Sequence, residues 1–481
     1  MVINTQVQGI NQVSDLTAVF WSANLATHTN SIIDADNKLE ITYSELNQRI
    51  DALIERLPAT RQLVALVAHN NLNFLISYLA LLRAKHVVLL IEKNTDQANN
   101  TVQNRHQKIL NQYQVNYLIE QQEITLLNEK PVALHASLAL LLSTSGSTGS
   151  AKLVKLSYHN LTVNTQSICQ YLPIKSTDCV VTTLPLHYSF GLSILHTHLA
   201  VGAKIVLTQA SPIDKSLWQI YKDHQPSSFY GVPFSFELLT KLQLKRLPLA
   251  SVQYMAQAGG QLSEATCQSV NNWCQENNKA LFLMYGQTEA CARIAYLPPK
   301  KVATKSGYIG QVIPHGELAI INKQNQHVTL SNTVGELCYR GGNVFIGYAE
   351  NVNSLATYEE IDWLHTGDLA VVDNDGDYKL VGRIKRIVKI MGKRISLDEV
   401  ERHIRATTSI DFAISNTDDM LTLYYVDSDA EPDTKQSLNI EKLQQDIADF
   451  CHINRRYINL NCRALLPRKS NGKVDYMALS Q

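Results

Sequence analysis

Ten consecutive residues, Ser143-Thr144-Ser145-Gly146-Ser147-Thr148-Gly149-Ser150-Ala151-Lys152, combine hydroxyls and glycines with a closing lysine. That composition suits a polyanion. Hydroxyls donate hydrogen bonds, glycines allow tight turns that expose backbone N–H groups, and the lysine adds a mobile positive charge. Phosphate binding is the chemistry such a loop offers, although a solvated Ser/Gly turn between strands has the same composition. The spacing excludes a Walker loop. That motif needs lysine directly after its second glycine and then Ser or Thr, whereas Gly149 precedes Ser150 and Ala151, and Lys152 precedes Leu153.

Further chemistry-bearing stretches follow in order. They are Tyr285-Gly286-Gln287-Thr288-Glu289, His365-Thr366-Gly367-Asp368, Gly382-Arg383, Lys389-Ile390-Met391-Gly392-Lys393-Arg394-Ile395, Glu399-Val400-Glu401 and Pro467-Arg468-Lys469-Ser470-Asn471-Gly472-Lys473-Val474. In this order and spacing they resemble the core motifs of the adenylate-forming superfamily. That superfamily includes acyl-CoA synthetases, carrier-loading adenylation domains and firefly-type luciferases. The resemblance runs from about residue 42 to the end of the chain.

The individual residues have readings of their own. Joining a carboxylate to the α-phosphate of ATP brings anions together, so a site must neutralise phosphate and orient the attacking oxygen. Glu289 offers oxygens to Mg²⁺ and Thr288 a hydroxyl to a phosphate oxygen. Tyr285 presents a flat face, Asp368 accepts hydrogen bonds as ribose hydroxyls require, and Arg383 forks to phosphate or ribose. Read singly, these are equally a core aromatic, a turn aspartate and a solvated arginine, and Lys473 is a surface lysine near the terminus. The resemblance implies more. Thr144, Ser145, Gly146, Ser147, Thr148, Gly149 and Lys152 form the phosphate loop, and Gly259, Gly260, Tyr285, Gly286 and Gln287 border the nucleotide. Thr288 contacts the α-phosphate, Glu289 the metal, and Asp368 with Arg383 the ribose. Lys385 is the hinge, and Lys473 bridges the substrate carboxylate and α-phosphate during adenylation. The 392–394 stretch then faces the thiol donor, CoA or a carrier-protein phosphopantetheine.

Two departures bear on substrate. The loop has Ala151-Lys152-Leu153 where the superfamily usually has Pro-Lys-Gly, which implies altered loop stiffness with the lysine kept. Many acyl-CoA synthetases carry histidine three residues after the proline of the Pro185 motif. Here Tyr188 holds that place and His187 precedes it, so His187, Tyr188 and Gly191 are all candidates for the acyl pocket. Amino-acid-activating members usually read Phe-Asp-x-Ser at Phe190-Gly191-Leu192-Ser193. Without that aspartate an α-ammonium lacks its counter-ion, and a buried unpaired charge is costly. The expected function is therefore ATP-dependent activation of a small carboxylic acid to an acyl-adenylate, then transfer to a thiol. Amino-acid adenylation for a carrier protein is the alternative, and a catalytically silent scaffold a third reading.

The elements that must position these residues are legible from periodicity. Thr42-Tyr43-Ser44-Glu45 opens a helix with Leu46, Ile50, Leu53 and Ile54 on one face. Apolar runs at 63–68, 87–91, 138–142, 153–156, 180–184, 205–207 and 229–232 read as strands alternating with helices, the pattern of α/β units around a parallel sheet. Both 256–260 and 281–286 read as strands ending in glycine loops, where such sheets hold ligands. From about Gly307 short β-like runs take over. The expected fold is α/β: a large N-terminal domain, 1–384, of α/β layers with a β-rich distal part, and a small mobile α+β domain, 385–481.

Composition bounds the rest. The chain has 481 residues, 45% hydrophobic and 18% charged, with Lys+Arg and Asp+Glu both 43. This is globular, too long for one core, and without the net basic charge of a nucleic-acid binder. Eight cysteines lack metal-ligand spacing and read as reduced thiols. No signal peptide or membrane span is evident, which points to the cytoplasm.

Overall fold

The computed structural model describes residues 19–93, 100–143, 152–390, 393–408, 410–417, 420–426, 440–468 and 473–479. The expected phosphate-loop residues Thr144, Ser145, Gly146, Ser147, Thr148 and Gly149 lie outside this set, as does Gly392.

The fold is mixed α/β. The runs Leu63–Ala68, Val87–Glu92 and Leu138–Ser143 form parallel strands at the centre of a seven-stranded sheet. They read as continuous apolar stretches because both faces are covered. Leu153–Ser157 returns antiparallel to Leu138–Ser143, and the short strand Tyr348–Ala349 pairs with it. Helix Tyr43–Ile54 starts with the predicted capping box, Thr42 and Glu45 bonding reciprocally. Helix Leu72–Arg83, capped by Asn71, is apolar on nearly every side and correspondingly buried.

The single parallel sheet suggested by alternation is in fact several sheets. Lys204–Leu207 lies between Ser31–Asp34 and Cys179–Thr182, parallel to both, in a four-stranded sheet. Ser228–Gly231, Tyr254–Gln257 and Ala280–Tyr285 are parallel strands of a nine-stranded one. That sheet turns antiparallel at Tyr285, where Ala295–Leu297 folds back, and continues through Tyr308–Val312, Tyr378–Arg383, Leu364–Val372 and Gly335–Gly341 to Gly316–Ile321. The change of sequence character near Gly307 therefore falls within one sheet. Exposed positions such as Glu317 and Arg340 now interrupt the buried runs, while backbone pairing runs on regardless.

One apolar core joins the Leu63–Ala68 sheet to the Tyr285 and Tyr339 region. Beyond Arg383 a turn, Ile384–Arg386, leads to Ile387–Ile390, Lys393–Ser396, helix Leu397–Thr407 and the sheet Phe412–Thr417, Met420–Val426, Ile458–Arg463, which pack on a core of their own. Arg386, one residue past the expected hinge Lys385, is fixed into that core. Its guanidinium meets Glu401 at 2.6 Å and Asp398 at 3.1 Å, and donates to the Tyr476 hydroxyl at 3.0 Å.

Removing one member of such a network strands the others. Arg386→Leu leaves the Glu401 carboxylate buried without its cation, a loss of about 3–5 kcal/mol. Amide hydrogen exchange in Phe412–Thr417 and Met420–Val426 should accelerate by roughly 10²–10⁴-fold; unchanged exchange would show that the network does not hold these strands.

Helix Ser189–Val201 carries two fully buried histidines. Burial lowers His196 to about 3 and His198 to about 4, from an ordinary 6.5. Native imidazoles thus stay neutral where the unfolded chain binds protons. The stabilisation is intact above pH 6.5 and is lost as pH falls towards 4, by about 1.4 kcal/mol per pH unit for each histidine. Urea unfolding between pH 6.5 and 4.5 should show this slope reduced by about half in His198→Leu; equal slopes would contradict the assignment.

Candidate active site

The turn Tyr285-Gly286-Gln287-Thr288-Glu289 lies where the nine-stranded sheet changes from parallel to antiparallel. Tyr285 ends the strand Ala280–Tyr285, and Thr288–Ala290 forms a single 3₁₀ turn. A side chain at Gly286 would overlap the Ala292 carbonyl, its Cβ 2.0 Å from that oxygen, so glycine is needed for the return strand to close on the turn.

Two hydrogen-bonded chains flank this turn. In the first, the Tyr285 hydroxyl donates to Asp368 Oδ2 at 2.5 Å, and Arg383 Nε meets Asp368 Oδ1 at 2.7 Å. Asp368 and Arg383 are register partners on adjacent strands. Burial, reinforced by the Asp368 charge, pushes the Tyr285 hydroxyl far above its usual range; the Asp368 charge likewise raises Arg383. Both oxygens of a carboxylate that is 3% exposed are thereby engaged. The preceding residues hold it in place. Thr366 Oγ1 donates to the Leu337 carbonyl and accepts from the Asp368 N–H. Glu336 accepts the Gly367 N–H on Oε1 and pairs His365 Nδ1 on Oε2. Gly367 has φ +73°, and nothing crowds its Cβ position, so it is the dihedral that calls for glycine.

In the second chain, the Tyr348 hydroxyl donates to Glu289 Oε1 at 2.8 Å, and the Lys152 ammonium sits 3.5 Å from the Tyr348 ring centroid. Lys152 also approaches Glu350 at 3.8 Å. Burial, then the Glu289 charge, raises the Tyr348 hydroxyl. Tyr348 reaches this position because its two-residue strand pairs with Leu153 and Val154, directly after the loop lysine. The other oxygen of Glu289 has no hydrogen bond among the described residues. A half-buried carboxylate with one open oxygen, beside a hydroxyl-bearing turn, fits a hard divalent cation such as Mg²⁺.

The remaining candidates fall at nearby strand ends or further along the chain. Gly259, with φ +87°, would bring a Cβ within 2.9 Å of the Tyr188 hydroxyl, and Gly260 packs on Pro233. The two pocket candidates diverge: Tyr188 reaches Gly259, whereas His187 turns to Glu92 at 3.9 Å. Gly191 lies where a Cβ would be 2.4 Å from the Pro185 carbonyl, so it serves close backbone packing. Gln287 and Thr288 are half-buried, and Lys385 is exposed on its turn. Lys473 is half-buried beside the Arg468–Val474 bridge, and Arg468 lies 5.7 Å over the Phe234 ring, next to Pro233. Sequence reasoning missed Tyr348, the Glu336–His365 support and Arg293, a buried residue four positions after Glu289. Among the described residues, the three carboxylates of Asp373, Asp375 and Asp377 also cluster, but the Lys305 ammonium already fills that cluster.

A long-chain-fatty-acid–CoA ligase of Salmonella typhimurium is 29% identical over 279 residues, covering 56% of this chain and 48% of the ligase. The chain thus matches about half the length of such curated relatives. Among solved structures, the o-succinylbenzoate CoA synthetase of Bacillus subtilis with its acyl-adenylate superposes with a TM-score of 0.76 at 20% identity, covering 96% of this chain and 98% of that one. McyG A-PCP with phenylalanyl-adenylate gives 0.73 at 20% identity, covering 97% and 82%. At these identities the superpositions establish the fold. Residues 95–349, more than half of the chain, match the AMP-binding enzyme family model. The protein belongs to the AMP-binding enzyme family.

Proposed function

We propose that this protein activates a carboxylic acid with ATP, forming an acyl-adenylate and pyrophosphate, and then transfers the acyl group to a thiol. The observation that carries this reading is the pair of chains on one turn: Lys152–Tyr348–Glu289 on one side and Tyr285–Asp368–Arg383 on the other. Together they offer a cation, a metal-binding carboxylate and a hydroxyl-binding carboxylate around one strand end, the demands of a nucleoside triphosphate. The curated relative is by name a CoA ligase, which supports CoA as the thiol; the carrier-bearing structural neighbour keeps a phosphopantetheine on a carrier protein as the alternative.

In this mechanism Lys152 and the loop before it offset the phosphate charge. Asp368 and Arg383 hold the ribose hydroxyls, and Tyr285 keeps Asp368 oriented. Thr288 bonds an α-phosphate oxygen. Glu289 would hold Mg²⁺, which would supply further neutralisation of the triphosphate. The acid's carboxylate oxygen attacks the α-phosphorus and pyrophosphate leaves. Lys473 offsets repulsion between the two anions as they approach. In the second step a thiolate attacks the acyl carbon and AMP departs. A swing of residues 385–481 about Lys385 exchanges Lys473 for the 392–394 stretch between the steps.

Amino-acid activation is less well supported. The helix start Phe190-Gly191-Leu192-Ser193 brings no acid, and the buried charge stacked on Phe190 is the Arg293 cation. A cytoplasmic setting agrees with the eight free cysteines. Among the described residues, no helix is long and apolar enough to cross a membrane.

ATP–pyrophosphate exchange over fatty, aryl, hydroxy and amino acids tests the activity. Exchange with a non-amino acid is expected; none with any acid would leave only a scaffold, and exchange solely with an amino acid would reverse the substrate reading. Tyr285→Phe removes one charge-assisted hydrogen bond, about 1.5–3 kcal/mol, and should raise the KM for ATP roughly ten- to hundredfold. An unchanged KM would detach Asp368 from nucleotide binding. Lys473→Ala should slow adenylation by about 10²–10³-fold yet spare thiol transfer from synthetic acyl-adenylate. Equal losses in both half-reactions would contradict a lysine that acts in one orientation only.

A further inference from the structure

Arg293 is 1% exposed, the largest side chain so deeply buried among the described residues. Its guanidinium stacks 4.3 Å from the centre of the Phe190 ring. The polar groups near it are neutral: the Ala292 carbonyl at 3.3 Å and the Tyr171 hydroxyl. Nε has no hydrogen-bond partner, and no carboxylate pairs with Arg293 among the described residues. Arginine stays protonated at any working pH. A buried guanidinium without an anion is expensive, and an aromatic face recovers only part of that cost.

The backbone is strained to put it there. Cys291 has φ 56° and Ala292 φ 139°, the latter in a region almost restricted to glycine. Buried Asn343 holds the distortion, its Nδ2 donating to the carbonyls of Ala290 and Arg293 at 2.8 Å each. Strain of this kind persists where it positions something. What it positions is a cation against Phe190, whose ring lies 6.4 Å from that of Tyr188, the residue that meets Gly259 at its strand end. The Arg293 Cα would lie 2.8 Å from a Cβ on Gly286, which places it against the nucleotide-side turn. The Tyr188 hydroxyl, at Gly259, is raised by burial and drawn down by the Arg293 charge.

We propose that the acid activated at this site carries a second carboxylate, and that Arg293 is the counter-ion of that group. This rests on the acid-activating reading above. A plain fatty acid would bury methylenes against an unpaired guanidinium; a dicarboxylic acid completes the pair.

The test is kcat/KM for pyrophosphate exchange with straight-chain and aromatic dicarboxylic acids, each against the monocarboxylic acid of the same skeleton. At least one dicarboxylic acid should be preferred by roughly 10²-fold or more, because its analogue leaves a buried charge unpaired. Arg293→Met should bring that ratio near one, and Arg293→Lys should retain part of it. Wild-type preference for every monocarboxylic partner, or a preference that survives in Arg293→Met, would overturn the proposal. Should Arg293→Met fail to fold, the wild-type ratios and Arg293→Lys still decide. Should no acid support exchange, the activity reading fails separately. Calorimetric binding of the same dicarboxylic acids then decides: binding lost in Arg293→Lys and Arg293→Met upholds the anion site, and no binding to wild type removes it.

Discussion

The Asp368 carboxylate is withdrawn from water, and Tyr285 and Arg383 reach it from two other strands. A buried carboxylate without such partners would cost several kcal/mol or take up a proton. Its partners also fix geometry at longer range. Tyr285 ends the last parallel strand, Asp368 lies in the antiparallel half of the same sheet, and Arg383 closes the strand that runs into the Ile384–Arg386 turn. One charge thus ties together the switch point of the sheet, its β-rich extension and the exit to the last hundred residues.

The parts legible in the sequence are those whose burial writes a continuous signal. Leu63–Ala68, Val87–Glu92 and Leu138–Ser143 are covered on both faces, so each shows as an unbroken apolar run. Thr42 and Glu45 announce a capping box because that interaction is local. Tyr285, Asp368 and Arg383 were found through motif order, but no spacing reveals that they touch. Tyr348 was missed because it meets Glu289 only through a two-residue strand paired beside the loop lysine. Arg293 gave no signal at all. Arginine is usually exposed, and the positive φ angles at Cys291 and Ala292 occur without the glycine that would have marked them.

Charge, neutral over the whole chain, is sorted within the site. Lys152 faces Glu289 through an aromatic ring, Arg383 faces Asp368 directly, and Arg293 faces no acid among the described residues. Two cations are thus balanced within the protein, and the third is the one proposed above to meet an anion of the substrate. In the function proposed above, the two compensated pairs face the nucleotide and the uncompensated charge faces the acyl group, which would separate a cofactor site from a specificity site.

The account depends most on Asp368 receiving the ribose. Equilibrium binding of AMP compared with 2′,3′-dideoxy-AMP, by calorimetry on the full chain, tests this directly. Loss of both hydroxyls should weaken binding by roughly tenfold or more, since the carboxylate then faces no donor from the ligand. Equal affinities would place the ribose elsewhere and leave Asp368, Tyr285 and Arg383 as a structural clamp.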